Sequence, residues 1–232
     1  MYKRYPFKHT LNTRDLGGYP IPCGATAFGR YIRSDAPVAL ADEEAALMRD
    51  LGVTTVIDLR SPGEREQVPC AFRAHPGFAV HDIRMDETPM HVWRSLSEED
   101  VPALYFSIAQ NHAVMRALMT IIARAPGGVF FHCTAGKDRT GITAALLLLL
   151  AGVSVADVVA DYQVTFTYIR PFMERMLASD AGVPAYLGMS KPEYIEGFVS
   201  RLTDAYGTAE NYLLRIGLTP EDIAAIRGTF TA

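Results

Sequence analysis

The chain has 232 residues, 49% of them hydrophobic and 21% charged, enough to bury a sizeable core and long for one domain without requiring two, so residues 1–232 are read as a single domain. A formal net charge of −4 excludes a general nucleic-acid binder, which needs a basic face. The three cysteines, Cys23, Cys70 and Cys133, are too few and unpatterned for a disulfide framework or a zinc site, so no cofactor and no metal are expected.

In chain order, Gly17-Gly18 and residues 20–29 read as turns with short strands that end in Tyr31-Ile32-Arg33. A helix is predicted over 41–51, acidic at its start and stopped by Gly52. Residues 53–59 and 78–83 follow as buried strands, and 97–124 as helix with a break near Asn111. Val129-Phe130-Phe131 is a third apolar strand, and the Ala- and Leu-rich run 140–151 is a helix with Gly152 at its C′ position. Ser154, Ser190-Lys191-Pro192 and Thr219-Pro220 mark further helix starts. Strands interleaved with helices predict an α/β fold with a central, mainly parallel sheet, followed by a helical C-terminal portion over about 154–232.

No apolar stretch follows Lys3-Arg4 as a secretory signal would require, and the longest apolar run, 144–151, falls far short of the roughly 20 residues that span a bilayer. The expectation is a cytoplasmic protein without a transmembrane segment. Nothing here sets an oligomeric state.

The densest chemistry lies where the third strand runs into its helix, at His132-Cys133-Thr134-Ala135-Gly136-Lys137-Asp138-Arg139-Thr140-Gly141. A helix opening leaves backbone N–H groups unpaired and gathers partial positive charge, so it can cradle a dianion. Residues 134–139 would form that cradle. Gly136 would let the chain turn tightly beside the ligand, and Arg139 would offer its planar fork to two oxygens. The same surroundings would lower the Cys133 pKa from about 8.5 and make the sulfur a nucleophile. His132 would fix the loop, and Thr140 would donate its hydroxyl towards the sulfur. Lys137 would add a flexible charge at the rim.

This decapeptide resembles the signature loop of the cysteine-based tyrosine phosphatase superfamily. With Asn12-Thr13-Arg14-Asp15-Leu16-Gly17-Gly18-Tyr19, Arg33-Ser34-Asp35 and Ile57-Asp58-Leu59-Arg60-Ser61-Pro62, it is similar to the bacterial and fungal tyrosine phosphatases whose loop reads Cys-x-x-Gly-Lys-Asp-Arg. That family includes effectors secreted by intracellular pathogens. The resemblance implies metal-independent hydrolysis through a phosphocysteine, acting on phosphotyrosine, with phosphoserine, phosphothreonine or phosphoinositide substrates also in reach. It also implies that export without a cleaved signal is open. A silent phosphate reader, a sulfurtransferase and an arsenate reductase use comparable cradles and stand as alternatives.

Two carboxyls compete for the task of protonating the leaving oxygen. Asp58 ends a strand on the side where parallel sheets bind ligands, and the resemblance also points to it, so Asp58 is the favoured acid. Its other reading is a structural ion pair with Arg60. Asp138 lies inside the loop itself. Asp82, Asp86 and Asp100 are further carboxylates upstream, and Trp93 is expected to pack or to line a pocket. Arg14 and Asp15 are read as bracing the core or the loop from behind.

Overall fold

In a computed structural model, residues 3–85, 90–179 and 184–231 are described. The strands are β1 (Arg14–Asp15), β2 (Pro20–Ile21), β3 (Gly24–Ala25), β4 (Tyr31–Ser34), β5 (Val53–Asp58), β6 (Ala79–Asp82) and β7 (Gly128–His132). β2 and β3 form a small hairpin, and the other five make one sheet in the order β1-β4-β7-β5-β6. Within that sheet β4, β7, β5 and β6 run parallel, with β1 antiparallel at one edge. The mainly parallel sheet expected from the sequence is therefore the architecture observed.

Before β7 come the helices α1 (Asp42–Asp50), α2 (Pro62–Gln67), α3 (Met90–Ser95), α4 (Val101–Ala109) and α5 (His112–Arg124). After it come α6 (Asp138–Ala151), α7 (Val155–Ser179), α8 (Pro192–Tyr206), α9 (Ala209–Arg215) and α10 (Pro220–Gly228). The break at Asn111 is real: its side chain caps α5 by accepting from the Val114 amide. Gly152 ends α6 at φ +89°, the left-handed conformation its position predicts. Two short helices, α2 and α3, have no counterpart in the sequence reading.

Alternation along the strands divides the core between the two faces of the sheet. Tyr31, Ile57 and Phe131 join one apolar cluster, which extends through α4 to α10 as far as Phe230. Their neighbours Ile32, Val56 and Phe130 join a second with Tyr5, Phe7, Met48 and Phe72. Helix α6 is buried along nearly its whole length, which explains why its sequence is apolar on all sides rather than on one stripe.

Register positions the site. Ser34 pairs with His132 across β4 and β7, and Asp58 pairs with His132 across β5 and β7. Three strand ends thus stop level with one another, and the segment 133–137 crosses from the middle one into α6.

Candidate active site

Each carbonyl from residue 133 to 136 has a polar partner, three of them from outside the loop. The Cys133 carbonyl lies 3.3 Å from the His132 ring Nδ1, and the Thr134 carbonyl accepts from the Ala36 amide at 3.1 Å. The Ala135 and Gly136 carbonyls both accept from the Asn12 side-chain amide at 3.1 Å, and Gly136 also accepts from Arg33 Nη2 at 2.8 Å. Because a trans peptide points its N–H opposite to its C=O, these bonds turn the amides of 134–137 to the other side of the loop. Gly136 has φ +67°, and a Cβ there would sit 2.6 Å from the backbone of Ser34. The glycine is required by close packing on β4 as well as by its conformation.

Behind the loop lies a buried charge network. Asp161 of α7 accepts from Arg14 Nε at 2.9 Å, from the Tyr19 hydroxyl at 3.0 Å, and from Arg33 Nη1. Burial opposes its ionisation, but Arg14 and Arg33 outweigh that and hold the carboxyl well below the usual carboxylate range. Arg14 also donates to the Asn12 side-chain oxygen, so one network orients both Asn12 and Arg33, the two side chains that hold the loop carbonyls. Arg14 thus braces the loop, whereas Asp15 receives the Tyr5 hydroxyl and the Gly17 and Gly29 amides instead.

Cys133, 2% exposed, lines a cavity of about 160 Å³ together with Glu64, Trp93, Thr134, Ala135, Asp138 and Arg139. Phe172, Met173 and Met176 of α7 and Leu187 supply its apolar wall. Arg139 Nη1 and Nη2 each bond a Glu64 carboxylate oxygen at 2.8 Å. Burial raises the Glu64 pKa, but the Arg139 and Thr134 hydrogen bonds and the Arg139 charge overcome this and hold it well below its ordinary value. Glu64 escaped the sequence reading as a site residue. Its only trace there is Ser61-Pro62-Gly63-Glu64, a capping box that opens α2.

The two candidate acids separate clearly. Asp138 lines the cavity beside Cys133; it accepts the Tyr105 hydroxyl, which in turn lies 2.6 Å from the Tyr162 hydroxyl. Asp58 is fully buried and does not line that cavity. It accepts from Arg60 Nε at 2.9 Å, Nη2 at 2.7 Å and the Arg60 amide at 3.1 Å. Burial opposes its charge, yet Arg60 and the neighbouring His132 keep its pKa below the ordinary value. The structural ion pair is the arrangement observed for Asp58.

His132 is fully buried, and burial lowers its pKa to about 4, so the ring is neutral near pH 7. Its Nε2 makes no hydrogen bond among the described residues and lies 3.7 Å from Asp58 Oδ2. Asp58, Cys70 and His132 offer one donor atom each within 4.8 Å of one another, but the Asp58 carboxylate is already committed to Arg60. The Thr140 hydroxyl is buried and without a hydrogen-bond partner among the described residues.

Lys137 corrects the expectation of a flexible charge at the rim. It is only 2% exposed, donates to the Leu187 carbonyl at 2.7 Å and lies 3.3 Å from Asp138. The turn at 185–188 closes over it, and the lysine stem packs beneath. Among the other carboxylates, Asp82 pairs with Arg73 and Asp100 caps the turn at Ser97, while Asp86 lies outside the described residues. Trp93 is a cavity wall.

Comparison with known proteins agrees with this geometry. The chain matches the tyrosine phosphatase family over residues 5–232. A Cupriavidus necator protein, provisionally named a tyrosine-protein phosphatase, is 30% identical, covering 97% of this chain and 88% of the relative. A tyrosine-protein phosphatase of Nostoc commune is 32% identical over 88% of this chain and 76% of its own length. The triple specificity protein phosphatase PtpB of Mycobacterium tuberculosis is 25% identical over 86% and 90%. The chain belongs to the tyrosine phosphatase family.

Proposed function

We propose that this enzyme hydrolyses phosphotyrosine in proteins without a metal, through a phosphocysteine on Cys133. The reading is supported by a loop whose Thr134, Ala135 and Gly136 carbonyls are held by Ala36, Asn12 and Arg33, which leaves its amides and the α6 N-terminus free for an anion beside the cavity lined by Cys133 and Arg139. The sulfur attacks phosphorus; the S–P bond forms as the P–O bond to the leaving group breaks, and Asp138 gives its proton to the leaving oxygen. Water then attacks phosphorus, the S–P bond breaks and Asp138 takes up the water proton. Arg139 and the loop amides hold the equatorial oxygens throughout.

Asp138 is preferred over Asp58 as the acid because it alone of the two lines the cavity. Thr140 is assigned to ease sulfur departure, and His132 to hold the Cys133 carbonyl. Phosphoinositide activity loses the support that an exposed Lys137 would have lent it, whereas an apolar wall of Trp93, Phe172 and Met173 suits a tyrosine ring. No helix among the described residues is long and apolar enough to cross a membrane. Three free cysteines suit a reducing compartment such as the cytoplasm. The test is hydrolysis of p-nitrophenyl phosphate and a phosphotyrosine peptide in the presence of a chelator. Activity abolished by vanadate is expected. Activity that vanishes with the chelator and returns with a divalent metal would overturn the reading, as would sulfur transfer or arsenate reduction without phosphatase activity.

A further inference from the structure

Two tyrosine hydroxyls lie where the packing is otherwise apolar. Tyr105 of α4 and Tyr162 of α7 are buried in the larger apolar cluster, their rings edge to face with centroids 6.2 Å apart. A buried hydroxyl is costly unless it is hydrogen-bonded, and the hydrogen bonds of these two end on Asp138. The Tyr105 hydroxyl donates to Asp138 Oδ1 and lies 2.6 Å from the Tyr162 hydroxyl. A hydroxyl has one proton to give. Tyr105 gives it to the carboxyl, so Tyr162 is the donor to Tyr105, and the chain runs from Tyr162 through Tyr105 to Asp138. Burial and the Asp138 charge push both phenols well above their ordinary pKa of about 10, so both stay protonated and go on donating.

The two oxygens of the carboxyl are thereby made unequal. Oδ1 takes the Tyr105 proton and lies 3.3 Å from Lys137 Nζ, whereas Oδ2 has no hydrogen-bond partner among the described residues. An oxygen facing two donors is the carbonyl oxygen of a protonated carboxyl, which leaves Oδ2 to hold the proton. Oδ1 accepts in both protonation states, so the chain needs no rearrangement while the proton leaves and returns. Gly141 supplies an independent observation. It lies three residues beyond Asp138 in α6, where glycine is the less stable choice for a helix interior, and a Cβ there would sit 3.0 and 3.1 Å from ring carbons of Tyr162. The last residue of the loop motif thus makes room for the ring whose hydroxyl backs the acid.

We infer that Tyr105 and Tyr162 are positioning residues for the acid: their hydrogen-bond chain holds Oδ1 so that Oδ2 carries the proton, which passes to the leaving oxygen as the P–O bond breaks and is replaced from the attacking water. The inference rests on the reading of Asp138 as the acid, and adds which of its oxygens acts and what holds it.

The experiment measures kcat/KM, which reports the step in which the leaving group departs, for phenyl phosphate and p-nitrophenyl phosphate. The variants are Tyr105→Phe, Tyr162→Phe, and Asp138→Asn with and without Tyr105→Phe. Tyr105→Phe keeps the ring and removes the donor. It is expected to slow phenyl phosphate roughly tenfold, the scale of one hydrogen bond to an ionised group, and p-nitrophenyl phosphate by no more than about threefold. Tyr162→Phe should show the same split, smaller, because it acts through Tyr105. Added to Asp138→Asn, Tyr105→Phe should remove the split no further, since residues that act through one another are not additive. Equal loss on both substrates, no loss on either, or an undiminished split in the Asp138→Asn background would overturn the inference. Where Tyr105→Phe strands the Tyr162 hydroxyl and unfolds the protein, Tyr105→Phe/Tyr162→Phe removes both buried hydroxyls together and must show the split. Asp138→Asn that itself slows the two substrates alike would strike the reading of the acid, and the inference with it; a split in Asp138→Asn that no tyrosine variant shares would strike the inference alone.

Discussion

Asp161→Asn perturbs the scaffold of the loop without touching the cavity. In the native protein one carboxylate compensates two buried guanidiniums, Arg14 and Arg33, each about 1% exposed. The amide is nearly isosteric, so the packing survives and the charge alone is lost. Removing one partner of a buried pair costs about 3–5 kcal/mol, because the other charge stays buried and uncompensated. For a chain of this size each kcal/mol moves Tm by about 2–4 °C, so a drop of about 6–20 °C is expected at pH 7. Because the folded Asp161 pKa is depressed, its contribution is fully present above the unfolded value of about 3.9 and is lost as pH falls towards the folded one. The gap between variant and wild type should therefore begin to narrow below about pH 4, by about 1 kcal/mol at pH 3. Thermal unfolding monitored by circular dichroism from pH 7 down to 3 measures both effects. A variant that melts within about 3 °C of wild type at pH 7 would refute the view that Asp161 is the anchor of the loop network.

Glu64→Gln should lower kcat/KM for p-nitrophenyl phosphate by roughly tenfold to a hundredfold, mostly in kcat, because Arg139 loses its charged bidentate partner and its aim; unchanged or faster turnover would make Glu64 a competitor of phosphate. Asp138→Asn should slow phenyl phosphate far more than p-nitrophenyl phosphate, since only the poorer leaving group needs the proton. Asp58→Asn should slow both alike, and the reverse pattern would return the acid to Asp58. His132, held near pKa 4 by burial, stays neutral in the native state while the unfolded ring protonates below about 6.5. Stability should therefore fall by about 3 kcal/mol between pH 6.5 and 4 from this group. Denaturant titrations should show His132→Gln flattening that limb, while the loss from Asp58, Glu64 and Asp161 begins lower, as their carboxylates protonate in the unfolded state.

β5, β7 and the loop were legible because their signals are local, whereas β6, expected to be buried, is a half-exposed strand at the sheet edge with a neighbour on one side only. Val129-Phe130-Phe131 is apolar on both faces, residues 140–151 form a buried helix, and Gly152 ends it at positive φ. Asp58 shows where locality stops. A carboxyl at a strand end points to the ligand side of the sheet in one rotamer and to Arg60, two residues on, in another, and spacing is the same for both. Lys137 depended on the turn at 185–188, fifty residues away, whose carbonyl takes its ammonium. Glu64 was not read at all: the Ser61-to-Glu64 spacing signals no more than a helix cap, and only tertiary packing of α2 against the loop makes the glutamate a partner for Arg139. Asp161 sits between Val158 and Tyr162 on a buried helix face, where nothing in the chain announces two arginines more than a hundred residues earlier.

The covalent intermediate is the most direct point of test. Wild-type enzyme quenched in acid during turnover of a phosphotyrosine peptide, then digested and analysed by mass spectrometry, should carry one phosphoryl group on the peptide containing Cys133. Cys133→Ser should show none and should retain peptide binding. A phosphoryl group found on another residue, or turnover in Cys133→Ser within about tenfold of wild type, would contradict the account.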